Sequence, residues 1–325
     1  MRRIRTAVIG AGHLGRFHAE KYARLADAEL KAVVDVDLQA ARTLAGRCGT
    51  QAAADYHEIL REVDAVSIAT PAAAHPRIAR DCLLAGLDVL VEKPITPTLE
   101  QAEELIALAA ARGRILQVGH LERFNPLMPA LKREVQTPMF IECHRITSFK
   151  PRGTDVDVLL DLMIHDVDLA LDLVGRDVVR LEATGAPVIS DLVDIANARL
   201  HFDGGCIANI TASRISVKSE RKLRVFGRDT YISADLQGGQ LAVFRRVADA
   251  DGAPQITRRD ERFDGDPLYQ EIESFLRCVR TREAPAVDGA QARRALAVTL
   301  EIRASLARAF QAVLGRHDES ADAVH

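Results

Sequence analysis

Short apolar runs alternate with amphipathic stretches along the first 120 residues of the chain. The apolar runs predict strands at 4–9, 30–35, 64–69, 88–91 and 115–118, and intervening stretches such as 14–26, 38–47 and 99–112 have helical spacing. This alternation is typical of right-handed βαβ crossovers and a doubly wound parallel sheet. We therefore expect an α/β domain over residues 1–120, with its ligand beyond the carboxyl ends of the strands.

The pattern changes after residue 121. Helical spacing at 126–136 and 156–174 flanks a strand-like run at 139–149, and alternating segments follow at 178–189, 194–202, 205–213, 221–226, 230–234 and 240–246. Such alternation predicts a mostly antiparallel sheet with one covered face. Helices at 267–281 and 289–314 close this second domain, 121–315, or pack back on the first, and 316–325 is expected to be a flexible tail.

The predicted helix at 156–174 carries a polar stripe. Asp161, His165, Asp168 and Asp172 share one face, because residues three and four apart are neighbours on a helix. The rest of the surface is almost wholly apolar, which predicts a buried helix. The stripe therefore either faces solvent or lines a polar cleft.

A glycine motif ends the first predicted strand. The run Ala7–Ile9 leads into Gly10-Ala-Gly12-His-Leu-Gly15, and Asp35 closes the second strand about twenty residues further on. Glycines of this spacing allow a tight turn and close approach of a pyrophosphate, and the acid suits ribose hydroxyls. These features predict a Rossmann domain that binds NAD in preference to NADP, since a carboxylate repels a 2′-phosphate.

Other polar groups follow the later strands of the same domain. Thr70-Pro71, Glu92-Lys93-Pro94 and Gly119-His120 all stand at predicted carboxyl ends of strands. Ligands of such sheets lie beyond these ends, so these groups are candidates for the same site.

Composition narrows the class of protein. The 325 residues are 48% hydrophobic and 27% charged, with a net charge of −3. The balance gives no reason to expect nucleic acid as a partner. Five scattered cysteines without C-x-x-C spacing predict neither a disulfide framework nor a metal site. With no apolar run approaching about 18 residues and no signal-peptide pattern, we expect a cytoplasmic protein without a membrane partner.

Taken together, these motifs resemble the Gfo/Idh/MocA oxidoreductases over nearly the whole chain. The resemblance is carried by the glycine motif, by Thr70-Pro71 with His75, by Glu92-Lys93-Pro94, by Asp161-x-x-x-His165-Asp166, and by the closing helix with Glu271, Ser274 and Phe275. It implies an α/β fold with an N-terminal Rossmann doubly wound parallel sheet. A C-terminal α/β domain would hold a large, mostly antiparallel open sheet, and a homodimer or homotetramer is implied.

Oxidation of a sugar hydroxyl needs a hydride acceptor and a base. Lys93 can lose its proton when desolvated or stabilise a developing alkoxide, and His165 is the natural proton acceptor. Asp161, one turn earlier, can orient the imidazole. The resemblance implies that these three are catalytic, that Glu92 holds a nicotinamide-side ribose, and that the bond before Pro94 is often cis.

The predicted cofactor site draws on all of these segments. Its members are Gly10, Gly12, His13, Leu14, Gly15, Asp35, Thr70, Pro71, His75, Glu92 and Lys93. His75 either fixes its loop or touches the cofactor, and His13 and His18 also suit local packing or solvent. Asp168 suits a structural hydrogen bond, and Asp172 is expected to reach solvent.

Two stretches, 118–126 and 160–166, resemble the bacterial subgroup that oxidises the 3-hydroxyl of UDP-N-acetylglucosamine for 3-amino sugars of lipid A or envelope glycans. A UDP-sugar requires cations for its diphosphate, and Arg123, Arg145, Lys150 and Arg152 are candidates, although each also suits a plain surface charge. The predicted substrate contacts are Lys93, Arg123, Asn125, Arg152, Asp161 and His165.

Two alternatives stay open at this point. One is an inositol or other polyol or hexose dehydrogenase of the same family. The other is a non-catalytic NAD- or sugar-sensing protein on the same fold. The intact set of Lys93, Asp161 and His165 argues against a sensor, which has no need of groups that transfer a proton.

Overall fold

The computed structural model describes residues 2–149, 156–248 and 253–322. The chain forms two compact units, one of residues 1–124 with 266–294 and one of residues 125–265 with 295–325. Over the described residues, no helix is both long enough and apolar enough to cross a membrane. The first segment of unit one ends at Phe124, close to the domain boundary predicted at residue 120.

The first unit is built on a six-stranded parallel sheet in the order β3-β2-β1-β4-β5-β6. Its strands are β1 (Ile4–Ile9), β2 (Ala28–Val34), β3 (Gln51–Ala53), β4 (Ala65–Ile68), β5 (Asp88–Glu92) and β6 (Leu116–Gly119). Its helices are α1 (His13–Tyr22), α2 (Leu38–Cys48), α3 (His75–Leu84), α4 (Leu99–Arg112) and α7 (Pro267–Thr281). This confirms the predicted doubly wound parallel sheet.

Local sequence explains where these helices begin and end. The Asp37 carboxylate accepts the backbone N–H groups of Gln39 and Ala40 at the start of α2, and Gly49 ends the helix at φ +65°. Thr98 caps α4 in the same way, and Gly113 ends it at φ +58°. The capping residues and the apolar patterns of α2 and α4 place the helix ends at the same positions. Helices and strands therefore alternate as predicted.

The second unit contains an eight-stranded sheet in the order β14-β13-β12-β11-β7-β10-β9-β8. Its strands are β7 (Phe140–Ile146), β8 (Val178–Ala186), β9 (Ile195–Phe202), β10 (Ile207–Ser213), β11 (Glu220–Phe226), β12 (Thr230–Asp235), β13 (Gln240–Ala248) and β14 (Pro254–Arg262). Its helices are α5 (Met128–Glu134), α6 (Ile164–Val174) and α8 (Gly289–Asp322), of which residues 289–294 belong to the first unit. All neighbouring strands are antiparallel except β7 and β10. The predicted mostly antiparallel sheet is thus confirmed.

The polar-striped helix differs from its prediction at its start. Residues Leu159–Met163 form a π-helical turn, and α6 follows directly from Ile164. The apolar side chains around it, among them Met163, Val167 and Leu169, are fully buried in the core of the second unit. A π turn widens the helix locally and is frequent at functional sites. Its i→i+5 spacing has no sequence signature distinct from an α-helix.

Three elements depart from the sequence prediction. Strand β3 has only three residues, and β14 is almost entirely exposed and charged, so neither has the apolar period by which strands are recognised. Helix α8 continues to Asp322, into the stretch 316–325 predicted to be a flexible tail.

Candidate active site

The glycine turn after β1 admits no other residue at two of its positions. Gly10 has φ +108°, and a Cβ there would lie 2.4 Å from the carbonyl oxygen of Ala69. A Cβ on Gly15 would lie 1.8 Å from the carbonyl oxygen of Gly10. At Gly12, the N-cap of α1, a Cβ would meet nothing within 4 Å. The bare backbone at this helix N-terminus therefore faces open space, as a bound pyrophosphate requires.

A cavity of about 570 Å³ lies beside this turn, a volume within the range of ligand sites. Of the predicted cofactor residues, Gly10, Gly12, Asp35, Thr70 and Pro71 line it. Other lining residues, among them Tyr56, His57 and Arg77, were not predicted from the sequence. The first unit thus has a concave site beside the glycine turn and Asp35, where the sequence predicts NAD.

Asp35 is held in place at the end of β2. Its carboxylate accepts the backbone N–H of Ala11 at 2.6 Å and that of Asp37 at 2.9 Å. These bonds tie the acid to the glycine turn within the same unit. Ribose hydroxyls can donate to the remaining lone pairs of the carboxylate oxygens.

His13 and Leu14 extend from the turn without lining this cavity. The His13 ring packs edge-on against Phe17, with ring centroids 5.0 Å apart. The side chain of Leu14 is exposed. Their predicted cofactor contact has no support from this geometry.

His75 fixes its loop, which is one of the two roles that the sequence left open for it. It is buried, and its two ring nitrogens lie 2.9 Å from the carbonyl oxygens of Pro94 and Thr70. Burial lowers its pKa, although both backbone contacts act in the opposite direction. The side chain thereby ties the loop after β4 to the turn after β5.

Glu92, Lys93 and Pro94 form that turn, and the Lys93–Pro94 peptide bond is cis. Glu92 is buried, and its carboxylate accepts the backbone N–H of Lys93 at 3.3 Å. Lys93 is half-buried. A Cβ on Gly119 of the neighbouring strand would come within 3.0 Å of the Glu92 carboxylate, so glycine leaves room for the acid.

The sequence prediction missed a buried cluster behind this turn. His18 is buried and bonds the Glu92 carboxylate at 3.0 Å through Nε2, so of its two expected surroundings, packing or solvent, it does not have solvent. Glu271 of α7 completes the cluster, with polar atoms of the three residues all within 4.8 Å of one another. Burial alone would raise the pKa of Glu92, but the bond from His18 and the charge of Lys93 bring it below its usual value. A helical-face argument would have placed His18 with buried Gly15 and Tyr22.

In the second unit, the four residues of the polar stripe differ in their surroundings. Asp161 lies in the π turn and His165 in the first turn of α6, and both are half-buried. Asp168 is buried. Asp172 was expected to reach solvent, but its carboxylate pairs with the Lys132 ammonium at 2.6 Å. Asp161 and His165 therefore keep an accessible edge, whereas residues 166–171 between them and Asp172 are buried.

Arg145 is corrected from a candidate phosphate cation to a structural one. Its guanidinium donates two hydrogen bonds to the Asp166 carboxylate, at 2.9 and 2.8 Å, and both side chains are buried. Since Asp166 directly follows His165, this pair fixes the first turn of α6 to strand β7. Lys150 and Arg152 lie outside the described residues.

Asn125 and Arg123 are engaged within their own units. The Asn125 amide is buried, donates to the Leu236 carbonyl at 2.8 Å and accepts the Leu127 N–H at 3.3 Å. We correct it to a residue that fastens the fold. The Arg123 guanidinium donates to the Ala286 carbonyl at 3.3 Å, so its role toward phosphate remains a prediction.

Comparison with known proteins agrees with this geometry. Residues 4–120 match the description "Oxidoreductase family, NAD-binding Rossmann fold", and residues 145–233 match "GFO/IDH/MocA C-terminal domain". The UDP-N-acetylglucosamine 3-dehydrogenase of Acidithiobacillus ferrooxidans is 38% identical over 93% of this chain and 97% of its own. Its solved structure superposes with a TM-score of 0.89 at 37% identity, covering 94% of this chain and 98% of that one. The myo-inositol 2-dehydrogenase of Thermotoga maritima is 29% identical over 93% of this chain and 96% of its own.

Proposed function

Because this chain belongs to the Gfo/Idh/MocA family of NAD-binding oxidoreductases, we propose that it oxidises the 3-hydroxyl of UDP-N-acetylglucosamine to a ketone. Such a product is suited to amination for 3-amino sugars of lipid A or related envelope glycans. The observation that carries the proposal is the likeness, along nearly the full length of both chains, to a dehydrogenase of that substrate.

The chemistry that bound NAD would supply is acceptance of the hydride from the reacting carbon. The glycine turn would hold its pyrophosphate, Asp35 its adenosine ribose and Glu92 the ribose beside the nicotinamide. The remaining chemistry falls to this chain's own side chains.

Three side chains would move the proton of the hydroxyl. Lys93, at the carboxyl end of β5, would hold the substrate oxygen and stabilise negative charge that develops on it. His165 would take the proton, and Asp161 would orient the imidazole and support its charged form. The half-buried positions of all three support this assignment, because a group that meets substrate must keep an accessible edge.

Activity with a panel of sugars tests the substrate. The purified protein with NAD should form NADH with UDP-N-acetylglucosamine, while myo-inositol and free N-acetylglucosamine should give at least about tenfold lower kcat/KM, as loss of a recognised group costs at least 1.4 kcal/mol. Turnover of myo-inositol in preference to the nucleotide sugar would instead support the second candidate function, a polyol dehydrogenase. The likeness to the myo-inositol 2-dehydrogenase of Thermotoga maritima is the reason for this candidate.

Two substitutions on one helix test the assignment of the base. Removing the proton acceptor in His165→Asn should lower kcat by about 10²- to 10⁴-fold, the usual contribution of general base catalysis. Asp172→Asn is the matched control, since Asp172 shares the stripe but pairs with Lys132. Equal losses in the two variants would show that the helix, and not the imidazole, had been disturbed.

A homodimer or homotetramer is part of the proposal. The outer face of the second unit's sheet bears a row of half-buried aromatic rings, in which Phe226 stacks on Tyr231 at 4.7 Å and Tyr231 on Phe244 at 5.1 Å. A flat aromatic face of this kind suits a second copy of the chain. Light scattering of wild type and Tyr231→Arg should show loss of the oligomer in the variant; an unchanged mass would place the interface elsewhere.

A further inference from the structure

The buried cluster behind the Lys93 turn contains one carboxyl group for which the proposed chemistry has no use. Glu271 is fully buried on α7, and neither of its carboxyl oxygens has a hydrogen-bond partner among the described residues. An ionised carboxylate in such a place is very costly unless a cation or several donors meet it. The charge state of Glu271 therefore needs an explanation.

The side chains that face the Glu271 carboxyl come from two neighbouring elements, and the buried Gln117 of β6 donates to the Glu271 backbone carbonyl at 3.2 Å. Helix α1 contributes His18 and Tyr22, and the end of β5 contributes Glu92, which in turn meets the backbone and charge of Lys93. His18 Nε2 lies 3.0 Å from Glu92, so the nearest imidazole is already committed to the other acid. No lysine or arginine is among the groups that shift the pKa of Glu271.

Glu92 is the member of the pair that is built to carry charge. Its carboxylate accepts hydrogen bonds from the His18 ring nitrogen Nε2 and from the Lys93 backbone N–H. Two carboxyl groups that share a buried site cannot both ionise cheaply, and the one with donors keeps the charge. We propose that the Glu92–Glu271 pair holds a single proton, carried by Glu271, which thereby acts as a positioning residue that keeps Glu92 ionised and in place for the nicotinamide-side ribose.

This assignment agrees with the electrostatics of the pair. Burial, followed by the charge of Glu92, raises the pKa of Glu271 well above its usual value. Polar atoms of the two acids lie within 4.8 Å of each other, close enough for the charge of Glu92 to act on Glu271. The inference rests on the ribose contact proposed for Glu92, but not on the identity of the sugar.

Infrared spectroscopy of three proteins tests the charge state directly. At neutral pH the wild type should show the C=O stretching band of a protonated carboxylic acid, which Glu271→Gln removes and Glu273→Gln retains. Glu273 is exposed, lies two residues further along the same helix and is the matched control. The same carboxylic-acid band in wild type and Glu271→Gln would overturn the proposal. A stoichiometric divalent cation in the purified protein would also overturn it, because the three side chains would then be metal ligands.

Calorimetric titration with NAD tests the positioning role without any sugar. The neutral isostere in Glu271→Gln should bind NAD within about twofold of wild type at neutral pH. Wild type should bind NAD more weakly as the pH rises and Glu271 loses its proton, and Glu271→Gln should not show this weakening. Glu271→Ala, checked for folding by circular dichroism, should bind at least about tenfold more weakly. An NAD affinity that is equal in all three proteins at every pH would contradict the role.

Discussion

Glu271 in the first unit and Asp194 in the second are both fully buried, but they differ in the hydrogen-bond donors around their carboxyl groups. Asp194 accepts the backbone N–H groups of Val188, Ile189 and Ser190 at 2.8, 2.7 and 3.0 Å, and Arg214 donates to it at 2.8 Å. Glu271 receives no such donor among the described residues. Equal burial therefore favours opposite charge states, because the surrounding donors, not the depth of burial, decide which form is the more stable.

Their pKa values move in opposite directions. Burial would raise the pKa of Asp194, but the backbone donors and Arg214 outweigh it and lower the pKa well below its usual value. For Glu271, burial and the charge of Glu92 act together and raise it. The ionised group fixes a loop in the second unit, whereas the neutral one lies beside the proposed cofactor site of the first.

Removing the cation from Asp194 should have the largest effect. Arg214→Met leaves a buried carboxylate without its charged partner and should lower the free energy of unfolding by about 3–5 kcal/mol. Lys31→Met, which breaks the surface pair with Glu29, should change it by less than about 1 kcal/mol. Urea unfolding of both variants measures the contrast; similar small losses would mean that the backbone donors alone suffice for Asp194.

Replacing Glu271 should change the dependence of stability on pH. Since its folded pKa is raised, wild type loses free energy of unfolding as pH rises above about 4.3, by up to about 1.4 kcal/mol per pH unit, until the folded pKa is passed. Glu271→Gln lacks this contribution and should gain on wild type as pH rises across that window. A constant difference between the two proteins from pH 5 to 8 would show that Glu271 titrates as an ordinary acid.

The acid side should show the smaller, opposite effect. Because the folded pKa of Asp194 is lowered, its contribution is complete above about pH 3.9 and is lost as pH falls toward the folded pKa. Asp194→Asn should therefore show a shallower acid loss than wild type in thermal unfolding scans, beneath the general loss from other carboxylates. If the stability of wild type and of Asp194→Asn fell equally with pH, Asp194 would make no contribution to the loss of stability in acid.

Much of the fold was predictable because local and global preferences agree. Strand β1 and helices α4 and α7 have the predicted bounds, since buried parallel strands are continuous apolar runs and these helices begin at clear caps. The exposed strand β14 and the π turn before α6 lack such signals.

The chemistry of the site was predictable by residue type but not by partner. Arginine and asparagine near a cleft suit a substrate as well as they suit buried carboxylates and carbonyls, and Arg145 and Asn125 proved to do the latter. The link of His18 and Glu92 to Glu271 joins residues far apart in sequence, and no spacing rule brings them together.

Transfer of an isotope from a single carbon tests the proposed reaction most directly. The protein should be supplied with NAD and UDP-N-acetylglucosamine that carries deuterium at C3, and the NADH should be analysed by mass spectrometry. The account predicts that the NADH formed contains the deuterium. NADH without deuterium would place the oxidation at another carbon, and no NADH at all would contradict the proposed substrate.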